Sequence, residues 1–309
     1  MSLLDKKRTK RKPLKQFDIT KRFNMMGRVG QGSMSKVWKA EDVKSHKRVA
    51  VKVLDKEKTN RFETRFAGLN KPTEGEIALS LIHPNIVKTL EVARTTDDET
   101  FLVMDYIDGS GLSLLVDLQG DRMKRHRLKF MIQIGDALSY LHELGWIHRD
   151  LCPRNVLVTE DNQIKLIDFG LVVPNTADFC KPGNRTGTAN YMAPELILRR
   201  PTDQRLDIFS YAVSCFEMYT KRYPWDAAMT LDAVMQHINQ PPLEITKVEP
   251  KIDKQIAETI MKGLERNPDN RWQTVAEMVR QLRQAEARLV KTSLAVMARS
   301  KAAGSNKQK

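Results

Sequence analysis

The chain changes its pattern of apolar and polar positions about a third of the way along. Residues 23–54, FNMMGRVGQGSMSKVWKAEDVKSHKRVAVKVL, alternate short Val- and Trp-containing stretches with glycine and charged turns, which predicts consecutive antiparallel strands. The following TEGEIALSLIHPNIV predicts an amphipathic helix stopped at His83-Pro84. Residues 101–111, FLVMDYIDGSG, predict a buried strand that runs into a glycine-marked link.

Helical spacing dominates the remainder of the chain. It begins with RLKFMIQIGDALSYLHELG, residues 127–145. A strand-rich part joined to a helical part predicts an α+β fold in two lobes, with the junction near residues 106–111. Towards the end, Leu282, Leu289 and Val296 are one heptad apart, which favours an extended amphipathic helix that packs back on the body over a partner-binding helix. The final KAAGSNKQK is expected to be disordered.

Length and cysteine content narrow the class of protein. With 309 residues and 41% hydrophobic residues, the chain can form one large domain or two lobes. It has no run of about 18 apolar residues and no signal-peptide pattern, so we expect no transmembrane segment. Cys152, Cys180 and Cys215 are scattered, which argues against disulfides or a zinc site and favours a reducing, cytoplasmic location.

The basic charge is concentrated at the two ends. Residues 1–22 carry nine Lys/Arg against two Asp, and residues 286–309 carry six against one Glu. The ends thus hold +7 and +5 of the formal +14, which leaves +2 for residues 23–285. Two interpretations of the tails stay open: solvated arms, or segments that contact nucleic acid, an anionic membrane or acidic partners.

Two motifs in the first part suggest phosphate chemistry without proving it. VGQGSMSKV places Gly30 and Gly32 between strands, where backbone N–H groups could approach phosphate oxygens, although taken alone an ordinary hairpin turn is favoured. Lys52 lies among apolar neighbours in VAVKVL, so its ammonium must reach solvent or meet an anion. Glu74 is a candidate partner, and Glu76 is its competitor.

The stretch HRDLCPRNVLV combines polar groups with a following strand. Asp150 and Asn155 project from the loop between a helix and that strand, and Asp168 ends the next apolar run in LIDFG. The oxygens of Asn155 and Asp168 suit Mg²⁺, which leaves the carboxylate of Asp150 to face a substrate hydroxyl. Taken alone, each acidic residue would be assigned to a turn or a helix cap. Taken together, their order and spacing favour the catalytic assignment.

The motifs occur in an order that resembles a eukaryotic-type protein kinase. The similarity covers about residues 23–285 and includes VGQGSMSKV, VAVK, HPNIV, HRDLCPRN, DFG, GTANYMAPE and NPDNRW. It implies a bilobal fold with a small antiparallel lobe and a large helical lobe. The implied divisions are a basic tail expected to be disordered (1–22), an N-lobe (23–105), a C-lobe (106–285), and a basic helical extension with a disordered end (286–309).

The resemblance also implies roles for individual residues. ATP and Mg²⁺ are the implied cofactors, and a protein is the implied substrate. Asp150 would orient the attacking hydroxyl and accept its proton, Lys52 would bind the α- and β-phosphates, and Asn155 and Asp168 would hold the metal. Glu74 would hold Lys52, because it lies nine residues before the His of HPNIV. The implied nucleotide-binding residues are Val29, Gly30, Gly32, Ser33, Val37, Ala50, Lys52, Glu74, Met104, Asp105, Ile107, Leu157 and Asp168.

One position departs from the family pattern. Serine/threonine kinases usually have Lys two residues after the catalytic Asp, and this chain has Cys152. Arg154 lies where many tyrosine kinases carry a compensating Arg, so we expect Arg154 to supply the missing charge. GTANYMAPE, with Thr188 near the catalytic Asp, nevertheless favours Ser/Thr acceptors. A nucleotide-binding pseudokinase scaffold and a tyrosine or dual-specificity kinase remain alternatives.

The resemblance extends to regulation and to structural pairs. Arg149, which precedes the catalytic Asp, often receives an activation-loop phosphate in the family, but the usual phosphosite is Asn184 here. Thr186 is a candidate substitute, and a constitutive partner for Arg149 is the alternative. The structural pairs expected are Glu195 with Arg271, and Asp207 with the catalytic loop.

Overall fold

The computed structural model describes residues 13–31, 35–183, 185–225, 235–236 and 238–305. Its first part is built on a sheet with strand order β1-β5-β6-β4-β3-β2. Apart from the parallel β1–β5 pair, neighbouring strands in this sheet run antiparallel. The strands are β1 (Gln16–Phe17), β2 (Phe23–Gln31), β3 (Ser35–Asp42), β4 (Arg48–Leu54), β5 (Thr89–Thr95) and β6 (Thr100–Asp105).

Short helices flank this sheet. They are α1 (Ile19–Arg22), α2 (Lys56–Glu63), which continues into a 3-10 turn (Thr64–Phe66), and α3 (Glu74–Ser80). Helix α3 ends at Ser80, before the expected stop at His83-Pro84, because Leu81 adopts an extended backbone and is buried in the core.

The second part is mainly helical. Its helices are α4 (Leu112–Leu118), α5 (Asp121–Glu143), α6 (Pro194–Ile197), α7 (Arg205–Thr220), α8 (Ile245–Val248), α9 (Lys254–Gly263) and α10 (Val275–Ser305). Its strands are β7 (Gly109–Gly111), β8 (Trp146–Ile147), β9 (Val156–Thr159), β10 (Ile164–Leu166) and β11 (Val173–Pro174). Helix α7 is buried on nearly every side, as expected for a helix that is apolar around its whole circumference. The predicted α+β organisation in two parts is confirmed.

Alternation along β4 decides which side chains face the second part of the molecule. Val49 and Val51 belong to a small apolar cluster on one face of the sheet. Successive side chains of a strand point to opposite faces, so Ala50 and Lys52 face the other way. Ala50 belongs to the main core, which extends through the helical part. The lysine is thereby directed at the junction between the two parts.

The expected disordered tail over residues 1–22 needs a correction at its end. Gln16–Phe17 forms a strand parallel to β5, and Asp18 caps helix α1 by accepting from the backbone N–H of Thr20. Phe17 and Ile19 pack on the small apolar cluster of the sheet. Apolar side chains between the basic residues therefore attach this stretch to the sheet, while residues 1–12 lie outside the described residues.

The C-terminal helix continues beyond the body. Helix α10 packs on α5 and α9, and Leu282 and Ala285 are fully buried. Leu289 is 37% exposed and Leu294 is 61% exposed, so the expected packing on the body ends soon after Ala285. The helix reaches Ser305, which corrects the expected disorder of residues 301–305. No helix in the described ranges is long and apolar enough to cross a membrane.

Candidate active site at the junction of sheet and helices

A buried lysine lies at the centre of the candidate site. Lys52 on β4 is 4% exposed, and its Nζ donates to Glu74 Oε1 at 2.5 Å and to Asp168 Oδ1 at 2.7 Å. Burial opposes the charged form, but the carboxylates of Asp168 and Glu74 outweigh it and raise the pKa of Lys52. The ammonium therefore stays protonated between two acceptors from distant parts of the chain.

The two glutamates at the start of α3 have different partners. Glu74 is the first helical residue and contacts Lys52. Glu76 instead closes a capping box: its Oε2 accepts from the backbone N–H of Thr73 at 2.7 Å, and Thr73 Oγ1 accepts from the N–H of Glu76. The local residue pattern alone left both glutamates open, and the family resemblance favoured Glu74, which is the one that contacts Lys52.

The two carboxylates around Lys52 differ in their acidity. Burial raises the pKa of Glu74 in spite of the nearby ammonium. Burial also opposes ionisation of Asp168, but Lys52 and the backbone N–H of Gly170 hold the pKa of Asp168 below its usual value. Asp168 is therefore the more acidic of the two carboxylates and the one better suited to bind a cation.

A buried aspartate on α7 holds the loop that carries Asp150. Asp207 accepts from the backbone N–H groups of His148 at 2.7 Å and Arg149 at 2.8 Å, and its Oδ2 lies 2.9 Å from His142 Nε2. Burial would raise the pKa of Asp207, but His142 and these hydrogen bonds lower it. The anchoring role expected for Asp207 is confirmed, whereas His142 was not foreseen because no local motif marks it.

Asp150 is fixed by a threonine from a later segment. Its Oδ1 accepts from the backbone N–H of Thr188 at 2.7 Å and from Thr188 Oγ1 at 2.8 Å. Gly187 permits this approach: its φ is +132°, and a Cβ there would lie 2.8 Å from the carbonyl oxygen of Arg149. The Thr188 contact expected from GTANYMAPE is thus present.

Asn155 and Asp168 are suited to hold a divalent cation. Asn155 Nδ2 donates to the Asp150 carbonyl at 2.8 Å and to Asp150 Oδ2 at 3.2 Å. This fixes the amide so that its Oδ1 is left to accept or to coordinate. Asp168 uses Oδ1 for Lys52 and Gly170, which leaves Oδ2 for a ligand. One amide oxygen and one carboxylate oxygen match the donor set that Mg²⁺ takes from a protein when phosphates supply the rest.

Cys152 and Arg154 lie beside Asp150. Cys152 is 2% exposed, and burial raises the pKa of its thiol, so it is not a reactive thiolate. Arg154 is exposed, and its Nη2 lies 3.4 Å from Thr188 Oγ1. Since Thr188 Oγ1 also contacts Asp150, a guanidinium lies close to the candidate catalytic carboxylate.

The other expected nucleotide-binding residues lie mostly on the same face of the sheet as Lys52. Val37 is the cross-strand partner of Lys52, Ala50 is the partner of Met104, and Gly30 is the partner of Val37. Cross-strand partners share a face, so these residues form one wall, on the face of the sheet to which Lys52 points.

Four further members of that set lie within the described ranges. Val29 is 54% exposed. Asp105 ends β6, with its backbone N–H donating to the Lys88 carbonyl, and Ile107 follows in the link. Leu157 lies on β9 in the helical part, opposite Gly111. Gly32 and Ser33 lie outside the described residues.

The expected pair of Glu195 with Arg271 is confirmed: Arg271 forms two hydrogen bonds of 2.7 Å with the carboxylate of Glu195.

The expected phosphate switch has only part of its residues in view. Arg149 is buried, and Thr186 Oγ1 is buried without a hydrogen-bond partner among the described residues. Asn184 lies outside them. A regulatory role for Thr186 stays a prediction.

Comparison with known proteins agrees with this geometry. The family model of the protein kinase domain matches residues 23–283. A probable serine/threonine-protein kinase of Clostridium perfringens is 31% identical over 261 residues, which cover 84% of this chain and 37% of that protein. The serine/threonine-protein kinase PknB of Mycobacterium leprae is 30% identical over 267 residues, covering 84% of this chain and 42% of that protein. The chain thus spans about two fifths of the length of these relatives.

Proposed function

Since the chain belongs to the protein kinase domain family, we propose that it transfers the γ-phosphate of ATP to a serine or threonine hydroxyl of a protein substrate. One observation carries the proposal: Lys52 is buried between Glu74 and Asp168, while Asp150 is held at the same junction by Asn155 and Thr188. A purely structural cluster of Lys52, Glu74 and Asp168 would not require a third carboxylate anchored beside it.

Asp150 is proposed to position the acceptor hydroxyl and to take its proton. A carboxylate offers about four lone-pair sites. The contacts from Thr188 and Asn155 use three of them, and the contact from Asn155 Nδ2 is long at 3.2 Å. The carboxylate therefore retains capacity for a substrate hydroxyl while its orientation is fixed.

The proposed nucleotide site uses the wall and the charged groups together. Lys52 would bind the α- and β-phosphates, and Asn155 and Asp168 would hold Mg²⁺, which neutralises developing charge on the phosphates. The adenine would lie against the wall, with backbone groups of Asp105 and Ile107 at its edge. The residues proposed to contact the nucleotide are Val29, Gly30, Gly32, Ser33, Val37, Ala50, Met104 and Leu157.

The acceptor class and the location are also proposals. Thr188 bonds to Asp150 through both its backbone and its hydroxyl, an arrangement in keeping with the Ser/Thr-type segment and with the names of the relatives. A cytoplasmic location is supported by the unpaired state of Cys152, Cys180 and Cys215. Residues 1–12 and 306–309 of the basic tails lie outside the described residues, and contact of the tails with nucleic acid, an anionic membrane or acidic partners stays a prediction.

The test is a transfer assay with γ-labelled ATP, Mg²⁺ and a panel of model protein substrates, followed by phosphoamino-acid analysis. We expect label on Ser or Thr and its loss when EDTA is added. Asp150→Asn, which keeps shape and removes the base, should lower kcat by about 10²–10⁴-fold. Nucleotide binding without any transfer would favour the pseudokinase alternative, and label on Tyr would contradict the acceptor class.

A further inference from the structure

Three phenylalanines from distant parts of the chain form a buried group, which we call the aromatic clasp: Phe62, Phe66 and Phe179. Their exposed fractions are 4%, 4% and 7%. The rings of Phe62 and Phe66 are 5.4 Å apart and nearly perpendicular, and those of Phe66 and Phe179 are 5.4 Å apart and tilted by 38°. Such distances are typical of attractive aromatic pairs.

The clasp joins the two parts of the molecule. Phe62 lies in helix α2 and Phe66 in the 3-10 turn that follows it, both upstream of α3. Phe179 lies in the segment between Asp168 and Thr188. The contact between Phe66 and Phe179 therefore links the sheet-bearing part directly to this later segment.

Phe179 has little freedom on its own side of the contact. Just before it, Val173–Pro174 pairs with Trp146–Ile147, and the N–H of Asn175 donates to the Gly145 carbonyl at 2.7 Å. Just after it, the Cys180 carbonyl accepts from the N–H of Thr202 at 3.0 Å. These bonds fix the backbone of Phe179 to the helical part, so Phe66 packs on an anchored ring.

Each of the two chain segments that meet in the clasp continues into the candidate active site. Eight residues after Phe66, Glu74 contacts Lys52. Nine residues after Phe179, Thr188 bonds to Asp150. A shift of the clasp would move helix α3 and the Thr188 segment relative to each other, and small misplacements of catalytic groups are costly.

The stretch from Ala177 to Arg185, which contains Phe179, has no hydroxyl for modification. Residues 177–185, ADFCKPGNR, contain no Ser, Thr or Tyr, and the first hydroxyl after them, Thr186 Oγ1, is buried. Residues 177–185 thus hold no phosphate acceptor, so other contacts must order this stretch, and the clasp supplies apolar ones.

We propose that Phe66 and Phe179 are positioning residues, which hold helix α3 and the Thr188 segment in the arrangement required for catalysis without an added phosphate. The inference rests on the proposed kinase function. It assigns to the clasp the ordering that charge-paired phosphates provide in other switch segments.

The test compares Phe66→Ala, Phe179→Ala and the double variant with Phe23→Ala as control. Phe23 is 1% exposed and pairs with Phe101 at 6.1 Å, but it belongs to the small cluster away from the clasp.

At a temperature where all variants are folded, we expect the clasp variants to lose about 10- to 100-fold in kcat with ATP KM changed less than about 3-fold. The double variant should be no worse than the singles, and Phe23→Ala should keep its kcat. Phe179→Leu, which keeps apolar bulk, should lose less and serves if Phe179→Ala does not fold.

A second readout does not depend on activity. Trypsin can cleave after Arg185, which lies between Phe179 and Thr188, whereas Pro182 protects the bond after Lys181. Mass spectrometry should show faster cleavage after Arg185 in the clasp variants than in the wild type or Phe23→Ala. Phosphatase treatment of the wild type should leave kcat unchanged.

Three results would overturn the inference: equal losses of kcat in Phe23→Ala and the clasp variants, effects of the two single changes that multiply in the double variant, or loss of activity on dephosphorylation. If the wild type proves to have no transferase activity, the proposed function fails, but the proteolysis still tests whether the clasp orders the segment between Phe179 and Thr188. Unchanged cleavage rates would then refute it, and faster cleavage would support it.

Discussion

The positive charge beside Asp150 comes from an arginine, Arg154, and not from a lysine at position 152. The buried thiol of Cys152 cannot contact a phosphoryl group as a lysine would. Arg154, exposed and 3.4 Å from Thr188 Oγ1, is the cation that remains nearby. Electrostatic stabilisation of a transferring phosphoryl group is among the largest contributions to catalysis, so this residue is proposed to be catalytic.

Replacing this arginine should therefore affect chemistry more than binding. We expect Arg154→Ala to lower kcat by about 10²–10³-fold with the ATP dissociation constant nearly unchanged. Steady-state kinetics and nucleotide titration would measure both. Arg154→Lys, which keeps a positive charge without the planar fork, should retain more activity. Near-normal kcat in Arg154→Ala would exclude the proposed role.

A half-buried glutamate that contacts Tyr191 should make stability depend on pH. Burial raises the pKa of Glu217 to about 7, and the carboxylate accepts from the hydroxyl of Tyr191. Asp117 adds to this shift, whereas Arg154 opposes it. Since the folded state holds this proton to higher pH than the unfolded state, the protein loses stability as pH rises from about 4.5 to 7.

Glu217→Gln removes this titration while keeping an acceptor for Tyr191. We expect the difference in free energy of unfolding between pH 5 and pH 8 to shrink in the variant, by at most about 3 kcal/mol. Urea unfolding of both proteins at the two pH values gives the comparison. An identical pH dependence would mean that Glu217 does not titrate in this range.

At the scale of elements, helix α3 gives its two glutamates different partners. Glu74 points to the buried lysine, and Glu76 closes the cap with Thr73. The two residues are on the same helical turn, so each provides a matched control for the other.

We expect Glu74→Gln to lower kcat/KM for ATP by about 10-fold or more, because Lys52 loses one of its two anionic partners. Glu76→Gln should leave activity close to that of the wild type, since Gln also closes a capping box. Kinetics with varied ATP test both variants. Equal losses would show that helix stability, and not the ion pair, limits activity.

At the scale of the whole molecule, the sheet extends further towards the N-terminus than the charge pattern suggested. Phe17 and Ile19 pack on the small apolar cluster, and the guanidinium of Arg22 lies 4.5 Å from the centroid of the Phe17 ring and pairs with Glu91. The proposed boundary between the tail and the body therefore moves from residue 22 towards residue 13.

Two deletions test this boundary. We expect removal of residues 2–12 to leave the Tm nearly unchanged, whereas removal of residues 2–22 should cost about 2–5 kcal/mol and lower the Tm by several degrees, as for other losses of packed apolar side chains. Differential scanning calorimetry would measure both proteins. Equal Tm values for the two deletions would contradict the revised boundary and support one at residue 22.

Local signals explain why so much of the fold and site could be predicted. Period-two alternation placed Lys52 within a strand, and helical periodicity marked the region of α5. The order of the motifs around Asp150, Asn155 and Asp168 pointed to one chemistry. The ends of elements were less accurate: α3 stops at Ser80 and α10 continues to Ser305, because burial of Leu81 and helical continuity have no sharp local signal.

The sequence by itself determined the strand-to-helix division, the residues available for catalysis, the departure at Cys152 and the arginine at position 154. These depend on neighbouring residues, whose spacing the backbone geometry converts directly into faces and loops. Only the tertiary structure showed the packing of Phe66 on Phe179 and of Phe17 on the sheet. Such contacts join residues far apart in the chain, so they depend on how whole elements pack and on the direction of each side chain, which no local pattern encodes.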